Sequence, residues 1–332
     1  MSSSSFLNVE ITRGNSTESC HHVHAVISDS EGKIIKSWGD YKKSVYPRSA
    51  IKPIQAIPLI ETGALDHFNL TNKEIALACA SHSGEEEHVN IVTAWLTKIG
   101  CRLEDLECGI HKPSSSAAYK NLILNHKAPT ALHNNCSGKH TGFLTTARYL
   151  NEDIKNYIHI DHPVQQRVLE TLKKICGINS NQFAYGIDGC GIPVITIPLH
   201  NMAQAMAKFA NPRNLEPAIA KAIQRITQAV SEYPVLTGGT EEFCTEVMKT
   251  TGKKAIIKVG AEGVYCGYLP EKGLGVALKV EDGAKRAAEA AMGYILNFLG
   301  VFSEEDKITL KNFLNPHIKS CAGKVVGNTI IT

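Results

Sequence analysis

The chain has 332 residues, with 35 Lys and Arg against 32 Asp and Glu for a formal net charge of +3, and 43% of it is hydrophobic. That is the make-up of a globular protein long enough for one large domain or two smaller ones. Basic residues are spread along the chain, which excludes a basic stripe for nucleic acid or a membrane surface as the main partner. No run reaches the roughly 18 apolar residues of a transmembrane helix. The start, "MSSSSFLNVEITRG", lacks a basic segment followed by an apolar one, so no secretory signal is expected and the tetraserine reads as a disordered leader. Ten cysteines are scattered without a Cys-x-x-Cys pair. They are expected as reduced thiols, most of them small core residues, in a cytosolic protein.

In chain order, "FLNVEIT" and "HHVHAVISD" alternate apolar and polar residues, and "DSEGK" turns into "IIKSWGD", which predicts strands. Apolar spacing of three and four predicts helices in "EEEHVNIVTAWLTKIG", "HPVQQRVLETLKKICG", "NMAQAMAKFA" and "PAIAKAIQRITQAVSEY". Short β runs return in "KKAIIKVG", "GVYCGYLP" and "GLGVALKVEDG". Two helices follow, "AKRAAEAAMGYILNFLG" and "SEEDKITLKNFLN", the second capped by Ser303. The expected fold is α+β: an antiparallel sheet from both termini, flanked by helices, with a mainly helical inserted subdomain. The expected parts are 1–48 with 250–332 for the sheet and 49–249 for the helices, the active site lying in the cleft between them.

Five stretches can carry chemistry. In "YPRSAIKPIQA", Ser49 and Lys52 stand at i and i+3, a spacing that lets a lysine serve a serine nucleophile. The same spacing suits a helix-capping serine followed by a solvated lysine. In "ALACASHSGEEEHV", Ser81-x-Ser83 resembles the Ser-x-Asn element of penicillin-recognising enzymes, with Ser83 and Glu86 also able to form a capping box. In "IIKVGAEG", Lys258-Val259-Gly260 resembles the Lys-Thr-Gly strand of the same enzymes. The run "ALHNNCSGKHTGFL" is too polar for core, and "YGIDGCGIPV" sets Cys190 among glycines. Cys136 and Cys190 are either buried thiols or ligands of a borderline ion such as zinc, with Lys139 or a histidine as third ligand. In "SCHHVHAV", Cys20, His22 and His24 share one strand face but spread over about 13 Å, too far for one ion.

Taken together, "YPRSAIKPIQA", "ASHSGEEEHV", "HNNCSGKHTGFL", "GIDGCGIP" and "KVGAEGVYCGYLPEKGLGVALKVEDG" resemble the asparaginase II family, the class 3 L-asparaginases, over nearly the whole chain. The resemblance implies a fold similar to serine β-lactamases and glutaminases, and hydrolysis of L-asparagine to L-aspartate and ammonia. It implies two Ser–Lys pairs, Ser49 with Lys52 and Ser81 with Lys258, with Lys253 and Lys254 as neighbours that could be mistaken for Lys258. It implies one zinc ion on Cys136, Lys139 and Cys190 with Asp188 in support, and a homodimer. Arg48 is the candidate for the substrate carboxylate, with His82 and Asp188 beside it as substrate-binding candidates. Two other readings stay in view: an enzyme of this fold acting on glutamine or another small amide, and a zinc-binding protein without catalysis.

Overall fold

The computed structural model describes residues 5–179 and 183–332, so all but the last residue of the tetraserine lies outside the described residues. The protein divides into two compact units, 1–50 with 196–211 and 246–332, and 51–195 with 212–245.

The first unit is built on an antiparallel sheet. Its strands are β1 (Leu7–Arg13), β2 (Ser16–Asp29), β3 (Ile34–Trp38), β4 (Ile256–Val259), β5 (Val264–Leu269), β6 (Leu274–Val280), β7 (His317–Lys319) and β8 (Val325–Ile331). The order is β7-β8-β1-β2-β6-β5-β4, with β3 also on β2. The 14-residue β2 makes this possible. Its first half pairs with β1, and its second half pairs with β6 on one side and β3 on the other. Alternation in β1 works as the sequence suggests: Leu7, Val9 and Ile11 point into the core at 1%, 0% and 2% exposure. β5 is buried throughout, as expected of a strand covered on both faces.

Helix Leu199–Ala210 packs on β2, β5 and β6. Gly275 explains how it comes so near, since a Cβ there would collide with the Ala203 carbonyl and the Ala207 amide. Its apolar spacing suggests a place in the helical part; the structure assigns it to the sheet. Periodicity tells that a segment is a helix but not which layer it covers. Ser303 caps its helix as expected, its side chain accepting from the Asp306 amide, but the segment breaks into Glu304–Thr309 and Lys311–Leu314. The hairpin β7–β8, which follows, extends the sheet beyond the strands the sequence suggests.

The second unit is mainly helical. Pro217–Glu232 buries Ile219, Ala222, Ile223, Ile226, Ala229 and Val230, a stripe at three-and-four spacing, against Ile57–Glu61 and Asn72–Ala78. Ser137–Leu150 packs between Asn72–Ala78 and Glu86–Lys98. The run expected to be too polar for core is inside: Ser137, Lys139, His140, Thr141 and Thr145 are all buried. Each hydroxyl is satisfied locally, Ser137 donating to the Leu132 carbonyl, Thr141 to that of Ser137 and Thr145 to that of Thr141. Thr145 also accepts from the Trp95 indole at 3.0 Å. Hydrogen-bonded hydroxyls bury at little cost, which composition alone does not reveal. Among the described residues no helix is long and apolar enough to cross a membrane.

Candidate active site

Ser49 lies in the 3-10 turn Arg48–Ile51, which leads into the short helix Lys52–Gln55. Arg48 opens the turn at φ +51°, a left-handed conformation that costs an arginine about 1 kcal/mol or more. The N-cap of the helix is Ile51, not Ser49, and Lys52 is 1% exposed. Neither half of the capping reading therefore holds. Within the same unit, the end of β4 packs against this turn. A Cβ on Gly260 would sit 2.7 Å from the Pro47 carbonyl and 3.2 Å from Ala50 Cβ. Glycine at the end of Lys-x-Gly is what allows so close an approach. Lys258, on β4, is buried and donates to the Val259 carbonyl at 3.0 Å, whereas Lys253 and Lys254 are exposed.

In the helical unit, the Lys52 ammonium donates to the Ala80 carbonyl at 2.5 Å, to Ser81 Oγ at 3.0 Å and to the Asn135 carbonyl at 3.5 Å. A buried cation needs such partners. Three acceptors at one nitrogen fix it beside Ser81. The loop from Ser81 onward is held from several sides. The Ser81 amide donates to the Thr237 carbonyl at 3.0 Å. His82 is buried, with Nε2 2.8 Å from Ser137 Oγ and Nδ1 accepting from the Gly84 amide at 3.1 Å. Because Ser137 donates to the Leu132 carbonyl, His82 is the Nε2–H tautomer. Both its ring nitrogens thus serve the loop itself.

Ser83 does not cap the next helix. That helix runs Glu86–Lys98 with Glu85 as N-cap, in a box with His88. The Ser83 hydroxyl donates to Glu85 Oε1 at 2.5 Å, and Glu85 also accepts from the Thr240 amide at 2.9 Å and the Thr240 hydroxyl at 2.8 Å. Burial works against the Glu85 carboxylate, but the donors from Ser83 and Thr240 hold its pKa below the usual value.

The third group is Cys136, Lys139 and Cys190. Cys136 precedes helix Ser137–Leu150 and is set by Asn134, whose Oδ1 accepts the Cys136 amide at 2.9 Å. The Asn134 amide group donates to the Cys108 carbonyl at 2.8 Å and the Gly109 carbonyl at 3.1 Å. Cys190 stands in the turn between strands Tyr185–Ile187 and Pro193–Ile195. Asp188 shapes that turn: its carbonyl accepts from Gly191 at 2.8 Å and its carboxylate from the Gly189 amide at 2.7 Å. Lys139, 2% exposed, donates to Cys190 Sγ at 3.2 Å.

The hydrogen bond from Cys136 and the Lys139 charge pull the Cys190 thiol down to about 5, and the same bond together with burial pushes Cys136 up to about 12. Burial opposes the Lys139 charge, but Cys190, Cys136 and Asp188 outweigh it and raise its pKa. Among the described residues no three His, Cys, Asp or Glu side chains converge to hold a metal ion. Beside the two thiols the nearby nitrogen is the Lys139 amine. Two sulfurs and one amine match zinc in kind, provided the amine gives up its proton.

Residue types and spacing do not reveal this work of Asn134. Nor do they reveal Tyr157, whose hydroxyl lies 2.8 Å from His140 Nδ1 and accepts from the Glu107 amide at 2.8 Å. No spacing signal marks Tyr157, because its partners lie 17 and 50 residues away.

No curated protein matches the sequence. Among solved structures it is similar to a β-lactamase from Mycobacterium bovis, at 13% identity and TM-score 0.46, over 84% of this protein and 95% of that one. It is similar to an octameric penicillin-binding protein homologue from Pyrococcus abyssi at 13% and 0.43, over 84% and 73%. A Bacillus glutaminase gives 12% and 0.38, over 84% and 91%. The L-asparaginase II family profile matches residues 9–331, and the protein belongs to that family of amidohydrolases.

Proposed function

We propose that the protein is an L-asparagine amidohydrolase, forming L-aspartate and ammonia through an aspartyl ester on serine. The observation that carries this reading is Lys52, a lysine 1% exposed and 3.0 Å from a serine hydroxyl in a member of the L-asparaginase II family. A lysine so buried marks a candidate functional site.

In this reading Ser49 attacks the side-chain amide carbon as Lys52, three residues on and in its free-amine form, takes its proton. Backbone N–H groups hold the oxyanion, a contribution of roughly 3–4 kcal/mol for a well-placed donor. Ser81, hydrogen-bonded to Lys52, passes the proton to the leaving nitrogen, and the C–N bond breaks to release ammonia. Water then attacks the ester carbon, with Ser81 and Lys258 handling its proton, and aspartate leaves as Ser49 recovers its own. Arg48 grips the substrate carboxylate in two-point fashion. His82 and Asp188 act as positioning residues for the loops that carry Ser81 and Cys190. Cys136, Lys139 and Cys190 would hold one zinc ion, which would order those loops and anchor substrate, its Lewis acidity damped by two thiolates.

The test is ammonia release from L-asparagine by purified protein and its Ser49→Ala variant, with L-glutamine alongside. Release from L-asparagine that disappears in the variant supports both substrate and nucleophile. Release from L-glutamine alone overturns the substrate. Full activity of the variant moves the nucleophile to Ser81.

A further inference from the structure

A cavity of about 1220 Å³ lies in the helical unit. Three segments that surround the Lys52–Ser81 contact run directly into its wall. The loop after Ser81 supplies Ser83, Gly84 and Glu85; the segment before Asn135 supplies Leu132 and His133; the turn after Thr237 supplies Thr240. The far wall is helix Ser116–Leu124, which buries none of its own side chains. The volume exceeds the roughly 300–1,000 Å³ that suits a drug-sized ligand, and free asparagine would fill a small part of it. Its charge is one-sided: among the described residues Glu85, Glu86, Glu241 and Glu242 line it against a single ammonium, Lys127.

We infer that the site accepts asparagine at the C-terminus of a short cationic peptide, the peptide's positively charged N-terminal part occupying this cavity. This rests on the amidohydrolase reading above and names its substrate class. A C-terminal asparagine keeps a free α-carboxylate and carries its extension on the amino side; an acidic wall favours ammonium groups in that extension and disfavours carboxylates. The chemistry is that proposed for free asparagine. The carbon–nitrogen bond of the side-chain amide breaks, a carbon–oxygen bond to serine forms and is then hydrolysed by water, ammonia leaves with the serine proton, and the peptide bond stays intact.

The experiment compares kcat/KM for ammonia release from lysyl-asparagine, glutamyl-asparagine and free L-asparagine, in the wild type and in a Glu86→Gln/Glu241→Gln variant. Both altered residues are exposed and belong to no step of the reaction. The expected result is a preference of about tenfold or more for lysyl- over glutamyl-asparagine. In the variant that ratio falls toward one, while the rate on free asparagine is unchanged. Equal rates on the two dipeptides, or a preference that survives in the variant, overturn the inference. Hydrolysis of free asparagine with both dipeptides inert also overturns it and leaves the asparaginase reading standing. No ammonia from any of the three removes both.

Discussion

The imidazole of His82 lies flat against that of His88, with ring centroids 4.9 Å apart and planes 14° from parallel. Two protonated rings at that distance would repel each other. Burial is the main cause that lowers the pKa of each ring; His88 and Lys52 add to it for His82. Burial, then Lys139, pushes His140 down to about 3. In the unfolded protein these residues take a proton near pH 6.5. Below that pH the unfolded state binds more protons than the folded one, so stability falls as pH drops. The loss is about 1.4 kcal/mol per pH unit for each such histidine, until its folded pKa is reached. The urea midpoint is expected to fall gently from pH 8 to 7, where the Cys190 thiolate contributes, and to decline more steeply from 6.5 toward 5, ahead of carboxylate titration. A slope that does not steepen below pH 6.5 would show that these rings are not buried as neutral groups.

In the proposed reaction Lys52 has two separable duties, taking the Ser49 proton and holding Ser81. Lys52→Met keeps the bulk of the side chain and removes the amine. It is expected to lower kcat by at least about a thousandfold, with the fold retained by circular dichroism. Ser81→Ala removes one of the three acceptors around the ammonium and the relay behind it. Its expected loss is smaller, about a hundredfold in kcat with KM little changed. If Ser81→Ala is the more damaging and the ester forms on Ser81 in Ser49→Ala, Ser81 is the nucleophile.

Much of this arrangement is legible in the sequence, for identifiable reasons. Alternation gives β1 because Leu7, Val9 and Ile11 meet a core on one face only. The stripe from Ile219 to Val230 gives its helix for the same reason at the other period. The hairpin β7–β8 is not legible, because its residues are largely exposed and its Gly327 lowers strand propensity. Gly327 is there because a Cβ would collide with the Thr12 carbonyl, a contact across more than three hundred residues. The cap falls two positions after the expected Ser83 because Ser83 and Glu85 both suit a helix start, and only the Thr240 contact decides between them. In the site, residue types and order mark Ser49, Lys52 and Ser81 as candidates. The pairing of Lys52 with Ser81 is a long-range contact that spacing cannot express.

Gly239 stands at φ +106°, and a Cβ on it would collide with Ser83 Oγ. Gly239→Ala therefore combines backbone strain with displacement of the serine that anchors Glu85 to Thr240. Gly252 separates the two effects, since it has φ +58° and nothing within 4 Å of its would-be Cβ. Gly252→Ala is expected to cost about 1 kcal/mol through strain alone. Gly239→Ala is expected to cost about 2–4 kcal/mol and to lower kcat at least tenfold, because the loop carrying Ser81 shifts. Urea titrations and initial rates on both variants check this. Equal costs with equal activity would mean that the Ser83 contact does not position the loop.

At the proposed site, zinc and protons would compete for Cys136, Lys139 and Cys190. Without a metal, Lys139 is an ammonium that donates to Cys190 at 3.2 Å. To ligate, its amine must lose a proton, and so must the Cys136 thiol, so binding is expected to release protons and to strengthen as pH rises. The wild type is expected to bind about one ion per molecule at neutral pH, measured by metal analysis after dialysis, and Cys190→Ser to bind none. Lys139→Arg is the sharper test. A guanidinium keeps a positive charge beside Cys190 but cannot deprotonate, so it preserves the ion pair and removes the ligand. That variant is expected to stay folded with zinc affinity reduced at least roughly a hundredfold. If it binds zinc as tightly as the wild type, Lys139 is no ligand and its role is to hold Cys190 as a thiolate.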